Sequence, residues 1–302
     1  MHTTDDLKES APRALARVWS SRDVLEGGGI DLQPHANRLA FADPEFLLRT
    51  ENRGIRFQLE LAKPDLDLAA AGVESTIVVY GSARFLAPDV AQRQLAAART
   101  IGDAAGIARA ERAAAGARYY VAAREFARCV ARYSKQQEPA ARFYICTGGG
   151  PGIMAAANRG AHDEGMPSVG LNITLPHEQG GNPWITPELS FKFHYFALRK
   201  MHFLMRAKAL VAFPGGLGTL DELFEVLTLV QTRKVQPVPV VLYGRDYWSH
   251  VLPLEYLVEV GTIDAEDLEL YHVVDTVDDA WQVIQDFYAL PPARTEALAD
   301  EG

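Results

Sequence analysis

From residue 76 onward the chain alternates short apolar runs with longer amphipathic stretches. Thr76-Ile77-Val78-Val79-Tyr80 ends at Gly81, and Phe143-Tyr144-Ile145-Cys146-Thr147 ends at Gly148-Gly149-Gly150. Ala209-Leu210-Val211-Ala212-Phe213 runs into Pro214-Gly215-Gly216, and residues 238–243 into Gly244; Ser168-Val169-Gly170-Leu171-Asn172 is a weaker copy. A run that is apolar at every position, rather than at alternate ones, suits a strand buried on both faces. Strands of this kind separated by helix-length segments predict an α/β fold, a doubly wound parallel sheet of Rossmann-like design. His272-Val273-Val274 adds a last short strand, and Val277 to Tyr288 a last helix.

The first 70 residues lack this alternation and read as a helical N-terminal extension. Within it Asp43 to Ala70 has helical spacing, with Phe46, Leu47, Phe57, Leu59 and Leu61 set among charges until Pro64 is expected to break the helix. Arg53, Arg56, Glu60 and Lys63 read as a solvated face. The expected organisation is therefore the extension at 1–70, the Rossmann-like domain at 71–290 and a flexible tail at 291–302. Asp89 to Ala117 is rich in alanine and reads as a surface insertion, helical but interrupted near Gly102, Gly106 and Gly116. A helix over about Phe191 to Lys208 is expected to carry more large apolar residues than one sheet face covers, which predicts a homodimer or a multiple of it.

Ligands of open parallel sheets sit at the carboxyl ends of the strands. Three of those ends are loops of low bulk: Gly81-Ser82-Ala83-Arg84, Gly148-Gly149-Gly150-Pro151-Gly152 and Pro214-Gly215-Gly216-Leu217-Gly218-Thr219. Glycine lets backbone approach a ligand closely, and the free N–H groups and dipole of the following helix favour an anion. The dinucleotide fingerprint GxGxxG is absent, since Ile153 and Asp221 stand where its third glycine belongs, and no GxxxxGK[ST] P-loop occurs. The pattern is that of a phosphate-binding sheet without the marks of NAD binding or ATP hydrolysis.

After the third loop Leu220, Leu223, Phe224 and Leu227 form an apolar stripe, with Asp221, Glu222 and Glu225 off it. Thr219 and Glu222 also stand in the spacing of a capping box, T-x-x-E. Glu222 is thus open to two readings, a helix cap or a group facing the ligand. Upstream, Arg199 and Lys200 taken alone read as a solvated pair beside the core residues Phe196, Met201, Phe203 and Leu204.

Composition narrows the choice of partner. A net charge of −9 argues against nucleic acid, while a small anion held by backbone dipoles remains compatible with it. The two cysteines, Cys129 and Cys146, belong to no metal or disulfide framework, and the histidines, His177, His194 and His202 among them, show no paired metal spacing. The polar, acidic start of the chain has no signal-peptide pattern and no run is long enough to span a bilayer. A cytoplasmic protein without membrane contact is expected.

Taken together, Arg199-Lys200 followed by Pro214-Gly215-Gly216-Leu217-Gly218-Thr219-Leu220-Asp221-Glu222 resembles the signature of the LOG family, the cytokinin riboside 5′-monophosphate phosphoribohydrolases, which often carry the label lysine decarboxylase. Gly81-Ser82 and Thr147-Gly148-Gly149-Gly150-Pro151-Gly152-Ile153-Met154 resemble its other two loops. Leu171-Asn172-Ile173, Glu178-Gln179 and Leu229-Val230-Gln231-Thr232 look like its longer bacterial branch. The resemblance spans about Thr76 to Trp248 and implies cleavage of a nucleoside 5′-monophosphate to free base and ribose 5-phosphate, with neither metal nor cofactor. It implies Arg199 and Glu222 as the catalytic pair and Gly215, Gly216, Gly218 and Thr219 as phosphate-binding residues. Gly81, Ser82, Gly149 and Gly150 would lie beside ribose and phosphate. AMP or an N6-modified AMP is the expected substrate, and the family also implies dimers.

The chemistry of the reaction fits these residue types. Hydrolysis of an N-glycoside builds positive charge on the ribose, which a carboxylate stabilises while it activates water. Arg199 would offset charge on the departing base or clamp the phosphate. The rivals are a non-catalytic nucleotide- or cofactor-binding carrier on the same fold, a pyridoxal-phosphate decarboxylase, which lacks a recognisable acidic partner for its cofactor, and a serine hydrolase, whose GxSxG turn is absent.

Overall fold

The structure is a computed structural model describing residues 37–174 and 180–291. It divides into two compact units, 1–56 and 57–302. The first unit contributes a short helix, α1 (Pro44–Leu48), whose N-terminus is capped by the Asp43 carboxylate accepting the amides of Glu45 and Phe46. The second contains the sheet and the site.

Seven parallel strands form that sheet: β1 (Thr76–Tyr80), β2 (Tyr144–Thr147), β3 (Ser168–Ile173), β4 (Ser190–Phe193), β5 (Ala207–Ala212), β6 (Val240–Tyr243) and β7 (His272–Val274), in the order β4-β3-β2-β1-β5-β6-β7. The chain winds outward from β1 to β4 and then returns to lay β5 against the other side of β1. The doubly wound parallel sheet expected from the apolar runs is therefore present, with its direction reversing between β1 and β5. Ile77, Val78 and Val79 are fully buried, as are Ala209 to Phe213, because helices cover both faces of the central strands. The register pairs Val79 with Val211 and Tyr80 with Ala212, so Gly81 and the Phe213-Pro214 bend leave the sheet side by side.

The connecting helices are α2 (Arg53–Ala70), α3 (Pro88–Ile101), α4 (Ala104–Lys135), α5 (Ile153–Asp163), α6 (Phe196–Met205), α7 (Leu217–Gln231), α8 (Arg245–Val251), α9 (Glu255–Glu259) and α10 (Val277–Tyr288). Several expectations are corrected here. Pro64 does not end its helix: α2 runs through it, and Pro64 and Leu68 are its buried residues. An interior proline costs about 3 kcal/mol, which burial of this face offsets. The compact-unit boundary falls at 56/57 rather than near 70, so most of α2 belongs with the sheet. Only Gly102 interrupts the alanine-rich stretch. It caps α3 at φ 78°, Asp103 caps α4, and Gly106 and Gly116 lie inside α4. Gly116 is buried there because Phe85 presses on it, 2.2 Å from where a Cβ would stand. From Ala117 on α4 is the crossover helix itself, with Ala123, Phe126, Ala127 and Val130 fully buried.

The helix expected over Phe191 to Lys208 is shorter, at Phe196–Met205, and β4 and β5 flank it. Residues 190–193 alternate exposed and buried positions, the mark of an edge strand. The expectations for residues 1–36, His177, Glu178-Gln179 and 292–302 lie outside the described residues. Among the described residues no helix is long and apolar enough to cross a membrane.

Candidate functional site

The three glycine-bearing loops meet at the carboxyl edge of β1, β2 and β5, where the winding reverses, and they are tied to one another through backbone. The Ser82 N–H donates to Pro214 O at 3.0 Å, and the Ile153 N–H donates to Ser82 O at 3.0 Å. Gly152, at φ 69°, leaves no room for a side chain, since a Cβ would stand 2.3 Å from Ser82 O and 2.6 Å from the Ala83 carbonyl carbon. Gly81 is equally confined, by Ile153 at 2.6 Å.

Above this junction lies a cavity of about 690 Å³ lined by residues of all three loops and of α6, α7 and α8. Of the residues expected at the site, Gly81, Ser82, Arg199, Gly215, Gly216, Gly218, Thr219 and Glu222 line it, whereas Gly149 and Gly150 do not. Those two serve a buried polar cluster instead. The Thr147 hydroxyl accepts the Gly149 N–H at 3.0 Å and donates to Asn158 Oδ1 at 2.7 Å. The Asn182 side-chain amide donates to Gly149 O, Gly150 O and Asn158 Oδ1 at 3.1, 3.1 and 3.0 Å. Thr147 and Asn158 are fully buried, so the cluster fixes the loop from beneath while Gly148 and Met154 face the cavity.

Glu222 is not a helix cap. The N-cap of α7 is Gly216, which makes no side-chain cap bond, and Thr219 sits inside the first turn with its N–H on Gly216 O at 3.0 Å. Thr219 is therefore three positions too far along for a capping box. Glu222 is also not off the buried stripe. It is 5% exposed, whereas Phe224 of the expected stripe is 39% exposed. The buried side of α7 is Thr219, Glu222, Leu223, Val226, Leu227 and Val230, because the helix turns its carboxylate toward the cavity at the sheet edge.

There Arg199 Nη2 donates to Glu222 Oε1 at 2.6 Å. Both side chains are largely buried, and the guanidinium lies 5.1 and 5.6 Å from the ring centres of Phe196 and Phe203. Its buried Nε has no hydrogen-bond partner among the described residues, so one charged donor stays unspent there. Burial pushes the Glu222 carboxyl above the ordinary carboxylate range, with the Arg199 charge opposing that rise only in part. The Tyr80 hydroxyl, on the same wall, is raised by burial and then by the Glu222 charge. Lys200 turns away to Asp221 and Glu225, at 2.8 and 3.3 Å.

The side of the cavity suited to an anion is the start of α7. The Thr219 amide is spent on Gly216 O, whereas the Leu217 and Gly218 amides precede the first helical acceptor, and the dipole adds positive potential there. Tyr247, which the sequence does not single out, fixes the orientation of this turn: its hydroxyl donates to Gly215 O. In a trans peptide the carbonyl and the following N–H point opposite ways, so holding the Gly215 carbonyl on Tyr247 also sets the direction of the Gly216 amide. A Cβ on Gly215 would stand 2.1 Å from Thr219 Oγ1, which places that hydroxyl against the same turn. Phe85, Met154, Phe203 and Tyr247 give the cavity an apolar wall. Their only sequence signal is that of core residues, and Tyr247 has none.

Residues 154–284 match the family model described as "Possible lysine decarboxylase". The chain is 30% identical over 136 residues to a probable cytokinin riboside 5′-monophosphate phosphoribohydrolase of Oryza sativa subsp. japonica, a match covering 44% of this chain and 57% of the relative. It is 38% identical over 81 residues to the cytokinin riboside 5′-monophosphate phosphoribohydrolase of Mycobacterium marinum, 26% of this chain and 42% of that one. The matches thus span about half of the relatives' length. The solved structure of a Moco carrier protein from Chlamydomonas reinhardtii aligns with a TM-score of 0.41 and 20% identity over 72% of this chain and 98% of that one.

Proposed function

We propose, from the premise that this chain is a relative of the LOG family, that it hydrolyses the N-glycosidic bond of a nucleoside 5′-monophosphate, AMP or an N6-modified AMP. The observation that carries this reading is the buried Arg199–Glu222 pair, set in the same cavity as the open amides of the α7 N-terminus. A pure phosphate binder has no use for a carboxylate in that place, where it repels the ligand.

In this reading the 5′-phosphate lies on the first turn of α7, with the Thr219 and Ser82 hydroxyls as further donors. The phosphate then fixes the ribose so that its anomeric carbon faces Glu222. As the C1′–N bond breaks, positive charge on the ribose is stabilised by the carboxylate. Water adds at C1′, one of its protons passing to Glu222, and the bonding electrons leave with the base, whose nitrogen takes a proton from solvent while Glu222 returns its own to solvent. The unspent Arg199 Nε–H is a donor for that developing negative charge. Burial raises the basicity of Glu222, which suits it to receive a proton.

The decarboxylase label fits less well. A pyridoxal phosphate enzyme needs a lysine for the Schiff base, and among the described residues lining the cavity none is a lysine. Exposed Phe196, Met201 and Met205 on α6, with Phe224 on α7, support pairing with a second copy of the chain.

The deciding experiment incubates purified protein with AMP, with adenosine and with N6-modified AMP, and follows release of free base. Cleavage of the monophosphates without cleavage of adenosine is expected. Binding of AMP with no base released would favour a carrier instead, and equal turnover of adenosine would remove the phosphate from recognition.

A further inference from the structure

The helix that carries Arg199 is held at both ends by the chain segment that precedes the sheet. At its start the Glu60 carboxylate, on α2, accepts the backbone N–H of His194 at 3.1 Å and that of Tyr195 at 3.1 Å. Tyr195 is the N-cap of α6 and has no side-chain cap bond of its own. Its carbonyl accepts the Arg199 N–H at 3.2 Å, so a single peptide separates the Glu60 contact from the backbone of Arg199. The charge also sits at the positive end of the α6 dipole. Phe57 meets the Tyr195 ring edge-on at 4.2 Å.

At the other end Arg206, the C-cap of α6, donates Nε to Val73 O at 2.9 Å and Nη2 to Asp65 O at 3.1 Å. It also pairs with the Asp65 carboxylate at 2.7 Å. Between the ends, the buried His202 ring has no hydrogen-bond partner among the described residues on either nitrogen, and burial holds it below its ordinary pKa. The backbone of Glu60 and Leu61 beside the ring opposes that drop in part. Pro64 has no N–H for the Glu60 carbonyl.

We infer that α2 is a splint for Arg199, with Glu60 and Arg206 as positioning residues that seat α6 so that the guanidinium reaches Glu222. The inference rests on the reading of Arg199 as a functional group. It also accounts for why Glu60, which looks like one charge among several on a solvated face, points into the domain.

The test uses Glu60→Ala, Glu60→Gln and the same changes on an Arg199→Ala background. Misplacing a catalytic group by a fraction of an ångström up to 1 Å costs about 10- to 100-fold in rate. Glu60→Ala is therefore expected to lower kcat on AMP by about 10-fold or more while KM, set by the glycine loops, changes less than about twofold. Glu60→Gln keeps an acceptor for the two amides and is expected to recover most of the rate. On the Arg199→Ala background Glu60→Ala is expected to cost nothing further, since residues acting through one another are non-additive. An equal loss in both backgrounds overturns the inference, because a general loss of folded protein has that signature. A second readout is independent of turnover: amide hydrogen exchange at residues 194–199 is expected to speed up in Glu60→Ala while the strands keep their protection. Unchanged exchange there refutes the splint. If the wild-type protein releases no base from AMP, the catalytic reading fails and the exchange measurement still judges the splint.

Discussion

Replacing Glu222 by Gln isolates the charge of the carboxylate from its size. Because Glu222 is not a cap, the stability cost comes from its pairing with Arg199 at 2.6 Å. Removing one partner of a buried ion pair costs about 3–5 kcal/mol. Here two features reduce that. The glutamine carbonyl still accepts from Nη2, and the variant is spared the desolvation that raises the carboxyl pKa. A net loss of about 1–2 kcal/mol is expected, which lowers Tm by roughly 2–8 °C in a domain of this size. The effect on rate is larger, since loss of a general base costs about 10²- to 10⁴-fold, or roughly 3–5 kcal/mol of barrier. AMP affinity should hold or rise, because a negative charge near the phosphate is gone. The assay is kcat, AMP affinity and Tm on the one variant. Near-wild-type kcat would refute a catalytic Glu222, and with it the main argument for an enzyme.

The same carboxyl predicts pH behaviour: its ionised form is the active one, so kcat/KM should fall as pH drops through a pKa above the ordinary ~4.3. A raised folded-state pKa means the protonated form is favoured by folding. The ligand-free protein should thus gain stability from this group below its unfolded pKa and lose it as pH rises through the folded one; an acid limb unchanged in Glu222→Gln would assign the limb to another group. Tyr247→Phe should raise KM for AMP about 5- to 10-fold, the value of one hydrogen bond, with kcat little changed, and an unaltered KM would separate Tyr247 from the phosphate turn. Gly152→Ala should lower stability by more than the ~1–2 kcal/mol of a left-handed residue alone, because its Cβ meets backbone of the Ser82 loop; a melting curve matching wild type would contradict that packing. Light scattering at micromolar concentration should give a dimer or a multiple of it, a monomer being the contrary result.

The sheet could be read in advance because its central strands are covered on both faces, so that every residue from Ile77 to Val79 had to be apolar. Where that condition lapses, so did the reading. Residues 190–193 alternate at the sheet edge and resembled a turn of helix. Pro64 obeys local rules only in isolation, and tertiary burial overrode them. Glu222 illustrates the opposite failure: T-x-x-E has the spacing of a capping box, but spacing does not say which residue is the N-cap. That depends on where the Pro214-Gly215 bend releases the chain into α7. Asn158 and Asn182 beneath the loop, and Tyr247 in the cavity wall, act through contacts 10 to 33 residues away in sequence, and no local pattern announces such pairs. Gly149 and Gly150 were legible as special backbone but not as to purpose, since a glycine required by a buried asparagine looks the same as one required by a phosphate.

The peptide of Ser82 joins the two halves of the winding, its N–H on the β5 loop and its carbonyl on the start of α5. Many nucleotide-binding proteins put such halves on separate lobes and close them over the ligand like a jaw. That route is shut here, because opening the cleft would break the sheet at its most buried point. Recognition must then be preformed: the amides wait in position, little ordering entropy remains to be lost on binding, and association is not slowed by a closing step. If the ligand is the proposed nucleotide, selection among bases falls to exposed side chains that line the cavity, Arg84 and Leu217, rather than to Phe85, which is packed against Gly116 and Tyr119.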